Sequence, residues 1–159
     1  MAPELTLPST INSTFQLDNN QSTLLYFQEG IQCQACWVQL VDIESQWNKF
    51  EHLGIDEIVT ITTDPIETLK ELADIIGFET PLLSDRDLSV SKRYNTNEYA
   101  MPGMGDGHNG HSFILVDEYG EIQWRADYGR YTMYVPVEIL IEQIEQSIEQ
   151  KNLSSADYA

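Results

Sequence analysis

The chain has 159 residues, with 26 Asp and Glu against 8 Lys and Arg, and a formal net charge of -18. That length suits one domain with its own core, and a hydrophobic fraction of 42% separates the chain from acidic disordered sequences. The negative field argues against a nucleic-acid partner, since the one basic pair, Lys92-Arg93, sits among Asp85, Asp87 and Glu98, and no apolar run nears the roughly 18 residues that cross a bilayer.

The N-terminus carries Pro3, Pro8 and the polar Asn12-Ser13-Thr14 between two extended pieces around Leu5-Leu7 and Phe15-Leu17, which predicts a hairpin. Its first eight residues have neither a basic nor a long apolar stretch. A cytoplasmic location is therefore expected, unless a signal or membrane anchor has been removed. Thr23 to Phe27 is apolar and aromatic, fitting a buried central strand that runs into Gln28-Glu29-Gly30. From Cys36, the positions Trp37, Leu40, Val41, Trp47 and Phe50, with Glu44 as a polar break, predict one helix of about four turns.

Ile58 to Thr62 is β-branched throughout and predicts a second buried strand. Asp64-Pro65-Ile66-Glu67 then offers an N-cap, an N1 proline and an N3 glutamate for a helix that shows Ile66, Leu69, Leu72, Ala73 and Ile76 and stops at Gly77. Pro81-Leu82-Leu83 reads as extended. Ser84 to Tyr94 reads as a short helix with Ser84 and Asp87 as a capping box. Ser112 to Val116 and Glu121 to Ala126 form a hairpin around Asp117-Glu118-Tyr119-Gly120. The last helix runs from Val137 to about Gln150 with Ile141, Ile144 and Ile148 as a buried stripe, giving a domain over residues 1–151 and a frayed tail over 152–159. The crossover between the first two buried strands is long enough to demand parallel pairing.

Only two cysteines occur, Cys33 and Cys36. A ring this short restrains little of the unfolded chain, so structural stapling explains the pair poorly. C-x-x-C on a strand-to-helix turn is a redox signature. A sulfur at the helix start lies against unpaired N–H groups and the positive end of the macrodipole, which makes Cys33 the attacking thiolate and Cys36, one turn later, the resolving thiol. Glu29 opposes this by raising the cost of a nearby negative charge. Inert buried cysteines are one alternative, and a zinc site of Cys33, Cys36, His108 and His111 another, with wider spacing than such sites usually have.

The element order resembles the thioredoxin-like superfamily, in its redoxin branch of peroxiredoxins (AhpC/TSA-like) and thiol-disulfide reductases. The residues that carry the resemblance are Pro3-Glu4-Leu5-Thr6-Leu7-Pro8-Ser9, Cys33-Gln34-Ala35-Cys36-Trp37, Phe113-Ile114-Leu115-Val116-Asp117, Gly120 and Trp124-Arg125, spanning roughly residues 3–150. The resemblance implies an α/β thioredoxin-like fold, a central mixed sheet flanked by helices, here with an N-terminal hairpin extension. It implies an oxidoreductase that acts on protein or small-molecule thiols and disulfides, or on a peroxide, and needs no cofactor. Peroxiredoxins also imply a threonine or serine three positions before the reactive cysteine, an earlier proline and an arginine before the later strand. This chain has Gly30, Tyr26 and Asn109-Gly110-His111 there. The cis-proline that thioredoxins imply before that strand is absent as well, Pro102 standing about ten residues upstream.

The stretch from Met101 to His111, with Gly103, Gly105, Gly107 and Gly110, predicts a loop, and the resemblance implies that it leads into the strand beside the cysteines. His111 is the candidate to accept the Cys36 proton or, as a cation, to lower the Cys33 pKa, whereas His108 is expected to be solvated. A different class of function also fits the residue types. Cys33, Cys36, Met104, His108 and His111 offer soft and imidazole ligands for Cu(I), in a loose resemblance to copper-delivery modules of the Sco type. The aromatic segment from Trp124 to Tyr134 is expected to pack the last helix on the sheet, with Arg125 and Asp127 on the rim.

Overall fold

A computed structural model describes residues 1–99, 107–129 and 131–157. Strands β1 (Thr6–Pro8) and β2 (Thr14–Gln16) form the expected antiparallel hairpin. The main sheet contains β3 (Thr23–Phe27), β4 (Glu57–Thr62), β5 (Leu82–Ser84), β6 (Ser112–Val116) and β7 (Ile122–Asp127), in the order β5-β4-β3-β6-β7. β3, β4 and β5 are parallel, as the long crossovers require, and β6 and β7 run antiparallel to β3 and to each other. The sheet is therefore mixed. Every residue of β3 and β6 is buried because both faces are covered.

One face is covered by α1 (Gln34–Ser45), α2 (Trp47–His52), α3 (Ile66–Ile76) and α5 (Val137–Asp157), which bring Trp37, Leu40, Ile43, Phe50, Leu69 and Ile144 against Leu24, Tyr26, Phe113 and Leu115. The other face is covered by the N-terminal hairpin and the short α4 (Ser89–Arg93), which bring Leu5, Leu7, Val90 and Tyr94 against Leu25, Phe27, Ile61 and Ile114. The period-2 alternation of β3 thus feeds two separate cores.

Five expectations are corrected. The single helix predicted from Cys36 is two, because Gln46 ends α1 at φ -118° and also opens α2, and Val41 points to solvent. Asp64 does not cap α3; Pro65 stands at that position, and the Asp64 carboxylate accepts hydrogen bonds from the Ile31 N–H and the Thr62 hydroxyl. Of the α3 positions expected on its apolar face only Leu69 is fully buried, and Ile76 is exposed. Ser84 belongs to β5 rather than to a capping box. The α4 amides of Val90 and Ser91 are taken up by the buried Asp85 instead, and Asp87 accepts from the Ser89 N–H. The last helix also continues to Asp157, past the expected end near Gln150, with residues 151–154 exposed. Within the predicted stripe, Ile144 is buried and Ile141 and Ile148 pack beside it.

Candidate active site

β3 and β6 are antiparallel, so the end of one lies beside the start of the other, and Phe27 pairs with Ser112. The residues just beyond this junction, Gln28 to Cys33 on one side and Asn109 to His111 on the other, meet at one end of the sheet. Gly30 makes the turn there at φ 102°, a conformation that favours glycine, and a Cβ in its place would collide with the Asp64 carboxylate. The turn is held by the Ile31 N–H to Asp64 (2.9 Å) and by two donors to the Gly30 carbonyl, the Cys33 N–H (2.9 Å) and the Trp37 indole N–H (3.0 Å).

This turn delivers Cys33 to the N-cap position of α1. Its sulfur takes the place of the usual capping oxygen and accepts from the Cys36 N–H at 3.3 Å. Cys33 and Cys36 are joined in a disulfide with their Cα atoms 5.3 Å apart. Cys33 retains 8% of its exposure and Cys36 none, so any reactant reaches the bond from the Cys33 side. A reduced Cys33 would sit in the field of a three-turn helix, where thiolate is favoured over thiol. Glu29, four residues earlier, is also buried, and its charge helps raise the Tyr26 pKa, behind the larger effect of burial.

His111 is completely buried. Its Nδ1 stands 3.8 Å from Cys36 Sγ and 3.3 Å from the Tyr26 hydroxyl, which is also 2.9 Å from the Cys36 carbonyl oxygen. Its Nε2 lies 3.1 Å from Gln39 Oε1, and the ring packs edge-on against Tyr26 and Phe113. Burial pushes the imidazolium pKa down to about 3, so His111 is neutral and does not act as a standing cation beside Cys33. Of the two expected roles, the geometry provides the contact with Cys36 and not the cation beside Cys33. The chain reaches this position because Gly110 passes directly against the Tyr99 carbonyl, where a Cβ could not fit.

His108 is half-buried beside Gly107, whose carbonyl accepts from the Thr63 hydroxyl. Met104 lies outside the described residues, as does the rest of the predicted glycine loop from Met101 to Asp106. Nothing supports the copper-delivery alternative: His111 turns its two ring nitrogens to Gln39 and to Tyr26 and Cys36, and no group of three or more His, Cys, Asp or Glu among the described residues could hold a metal ion. Arg125 and Asp127 pair at 2.9 Å on the half-buried rim of β7, and Trp124 and Tyr128 pack on the core that α5 covers, as expected of the aromatic segment.

Tyr26 and Gln39 escaped the reading of the sequence. Both left a signal: Tyr26 is the one hydroxyl among the large side chains of a buried strand, and Gln39 stands one turn after Cys36 on the inner face of α1.

A mixed five-stranded sheet with a dithiol at the head of its first long helix defines a thioredoxin-fold, thiol-based oxidoreductase. Residues 1–125 match the model of the AhpC/TSA family, and the chain belongs to that family. Solved structures share the fold. The Plasmodium vivax 2-Cys peroxiredoxin in reduced form aligns with TM-score 0.77 and 18% identity over 95% of this chain and 96% of its own. Peroxidoxin BcpB from Mycobacterium tuberculosis aligns with TM-score 0.73 and 15% identity over 91% and 94%. The mitochondrial 2-Cys peroxiredoxin of Plasmodium falciparum gives 0.74 and 15% over 95% and 94%. No curated protein matches the sequence.

Proposed function

We propose that the protein is a thiol-disulfide oxidoreductase in which Cys33 attacks and Cys36 resolves. The observation that carries this reading is the asymmetry of the pair: Cys33 is the helix cap and keeps some exposure, while Cys36 is sealed beneath it against His111. Cys33 thiolate attacks one sulfur of a substrate disulfide, forming a mixed disulfide and expelling the other substrate sulfur as thiolate. Cys36 then attacks Cys33 Sγ, forming the Cys33–Cys36 bond and releasing the second substrate thiolate. Oxidised protein meeting a dithiol runs the same steps in reverse.

The resolving step requires Cys36 to lose a proton where no solvent reaches it. His111 Nδ1, 3.8 Å from Cys36 Sγ, is the acceptor in reach, and the departing substrate thiolate is the final recipient. The imidazolium is costly beside a disulfide, which carries no charge. Beside a forming Cys36 thiolate it gains an opposite charge and becomes easier to form. Glu29, buried four residues before Cys33, would oppose the Cys33 thiolate wherever it carries its charge.

Family membership favours a second reading, a thiol peroxidase in which a peroxide oxidises Cys33 to sulfenic acid with loss of one oxygen as water or alcohol, and Cys36 condenses with it to the disulfide, releasing water. Against this reading, Gly30 stands where peroxiredoxins carry threonine or serine, and Asn109-Gly110-His111 stands where they carry arginine. Partners are therefore thiols and disulfides first and peroxides second, and a cytoplasmic setting remains part of the proposal. Mixing reduced protein with hydrogen peroxide and, separately, with a protein disulfide decides the matter. Faster closure of the Cys33–Cys36 bond by the disulfide is expected; faster closure by peroxide would favour the peroxidase.

A further inference from the structure

We propose that Gln39 is a positioning residue that holds His111 in one tautomer, with the proton on Nε2 and a bare Nδ1 aimed at Cys36, and that Val135 fixes Gln39 for this task. Gln39 is buried inside α1, 96 residues from Val135 in sequence, yet the two form a closed pair of hydrogen bonds. Gln39 Nε2 donates to the Val135 carbonyl at 2.8 Å, and Gln39 Oε1 accepts from the Val135 N–H at 2.6 Å. Turning the amide over would set NH₂ against N–H and oxygen against oxygen, so the backbone of Val135 dictates which end of the amide is which.

Gln39 Oε1 is thus an acceptor, and it lies 3.1 Å from His111 Nε2. A favourable contact at that distance requires a proton on Nε2. Neutral imidazole carries a single N–H, and burial keeps His111 neutral, so Nδ1 is left as an acceptor. The titratable groups seen in contact with it are Tyr26 and Cys36; the other described contacts, Gln39 and Phe113, are uncharged.

The consequence is a proton arrangement that depends on the state of Cys36. Tyr26 has one hydroxyl proton and two acceptors, the Cys36 carbonyl at 2.9 Å and His111 Nδ1 at 3.3 Å. In the disulfide, Cys36 sulfur has no proton, and the bare nitrogen must share the one on Tyr26. On reduction the Cys36 thiol supplies its own donor to Nδ1 and leaves the Tyr26 proton to the carbonyl. The opposite tautomer would aim an N–H at Cys36 and could not receive its proton. The loop before α5, through Val135, is in this way coupled to the chemistry of the resolving sulfur.

The chemical half of this inference rests on Cys36 being the resolving thiol; the tautomer does not. The test uses the oxidised full chain labelled with ¹⁵N-histidine. The resonance of His111 should show a protonated Nε2 and an unprotonated Nδ1, unchanged from pH 7 to pH 5, and a protonated Nδ1 would overturn the lock whatever the enzyme does. In Gln39→Leu, the single tautomer should be lost, and attack of Cys36 on a preformed Cys33 mixed disulfide should slow by roughly tenfold or more, with alkylation of Cys33 unchanged. Wild-type Nε2–H with resolution unaffected in Gln39→Leu would overturn the positioning role while leaving Cys36 as resolver. If Gln39→Leu does not fold, the wild-type spectrum still decides the lock.

Discussion

The two faces of the central sheet are built from the same strands and do different work. On the face covered by the hairpin and α4, Leu25, Phe27, Val59, Ile61, Ile114 and Val116 meet Leu5, Leu7, Val90 and Tyr94 in a dry core. On the face covered by α1 and α5, the core contains the Tyr26 hydroxyl and the His111 imidazole against Cys36, with the Gln39 amide behind His111. The first face supplies burial free energy. The second buries polar groups that are tolerable only because each one has a partner, and it thereby fixes a proton acceptor beside a sulfur that solvent does not reach.

The largest separation between the faces comes from truncating the dry one. Ile114→Ala leaves a hole in a fully buried site and should cost about 2–5 kcal/mol of stability in denaturant titrations. The rate of exchange with a disulfide, measured where the variant is still folded, should stay close to that of the wild type. A stable variant with impaired exchange would show that the faces are not separable.

On the polar face acid should act through His111. The folded pKa of His111, about 3, lies below its unfolded value near 6.5, so the unfolded chain takes up a proton that the folded one refuses. Its contribution is complete above pH 6.5 and is lost as pH falls from there toward 3, at up to about 1.4 kcal/mol per unit. Between pH 7 and pH 5 the wild type should therefore lose about 2 kcal/mol more stability than His111→Leu. Parallel acid profiles for the two proteins would mean that His111 is protonated in the fold.

Tyr26→Phe should have the smallest effect, about 1 kcal/mol, because it removes one hydroxyl donor and keeps the ring stacked on Phe113 at 4.6 Å. A cost of several kcal/mol would mean that the hydroxyl is the keystone of the network rather than one of its members.

The strands and the cysteine motif were far more legible in the sequence than the polar network around His111. The β-branched run of β4, the apolar runs of β3 and β6 and the hairpin prolines announce themselves within a few residues, and the cysteine pair follows from one short motif. The break at Gln46 was hidden because Trp47 and Phe50 continue the helical spacing, and a period cannot register one residue of altered backbone. His111 reads as a neighbour of the dithiol, but no local pattern tells that it is fully buried. Its burial depends on Gln39 and Tyr26, 72 and 85 residues away, and on a glycine tight against the Tyr99 carbonyl, none of which local pattern contains.

The division of labour between the two cysteines is tested most directly by trapping. Cys36→Ser, reduced and mixed with a protein disulfide, should accumulate a mixed disulfide through Cys33 that a wild-type control does not retain, because the resolving sulfur is gone. Cys33→Ser should accumulate none, since its remaining thiol is fully buried behind the helix start. Mixed disulfide formed by Cys33→Ser and not by Cys36→Ser would contradict the account and assign the attack to the sulfur beside His111.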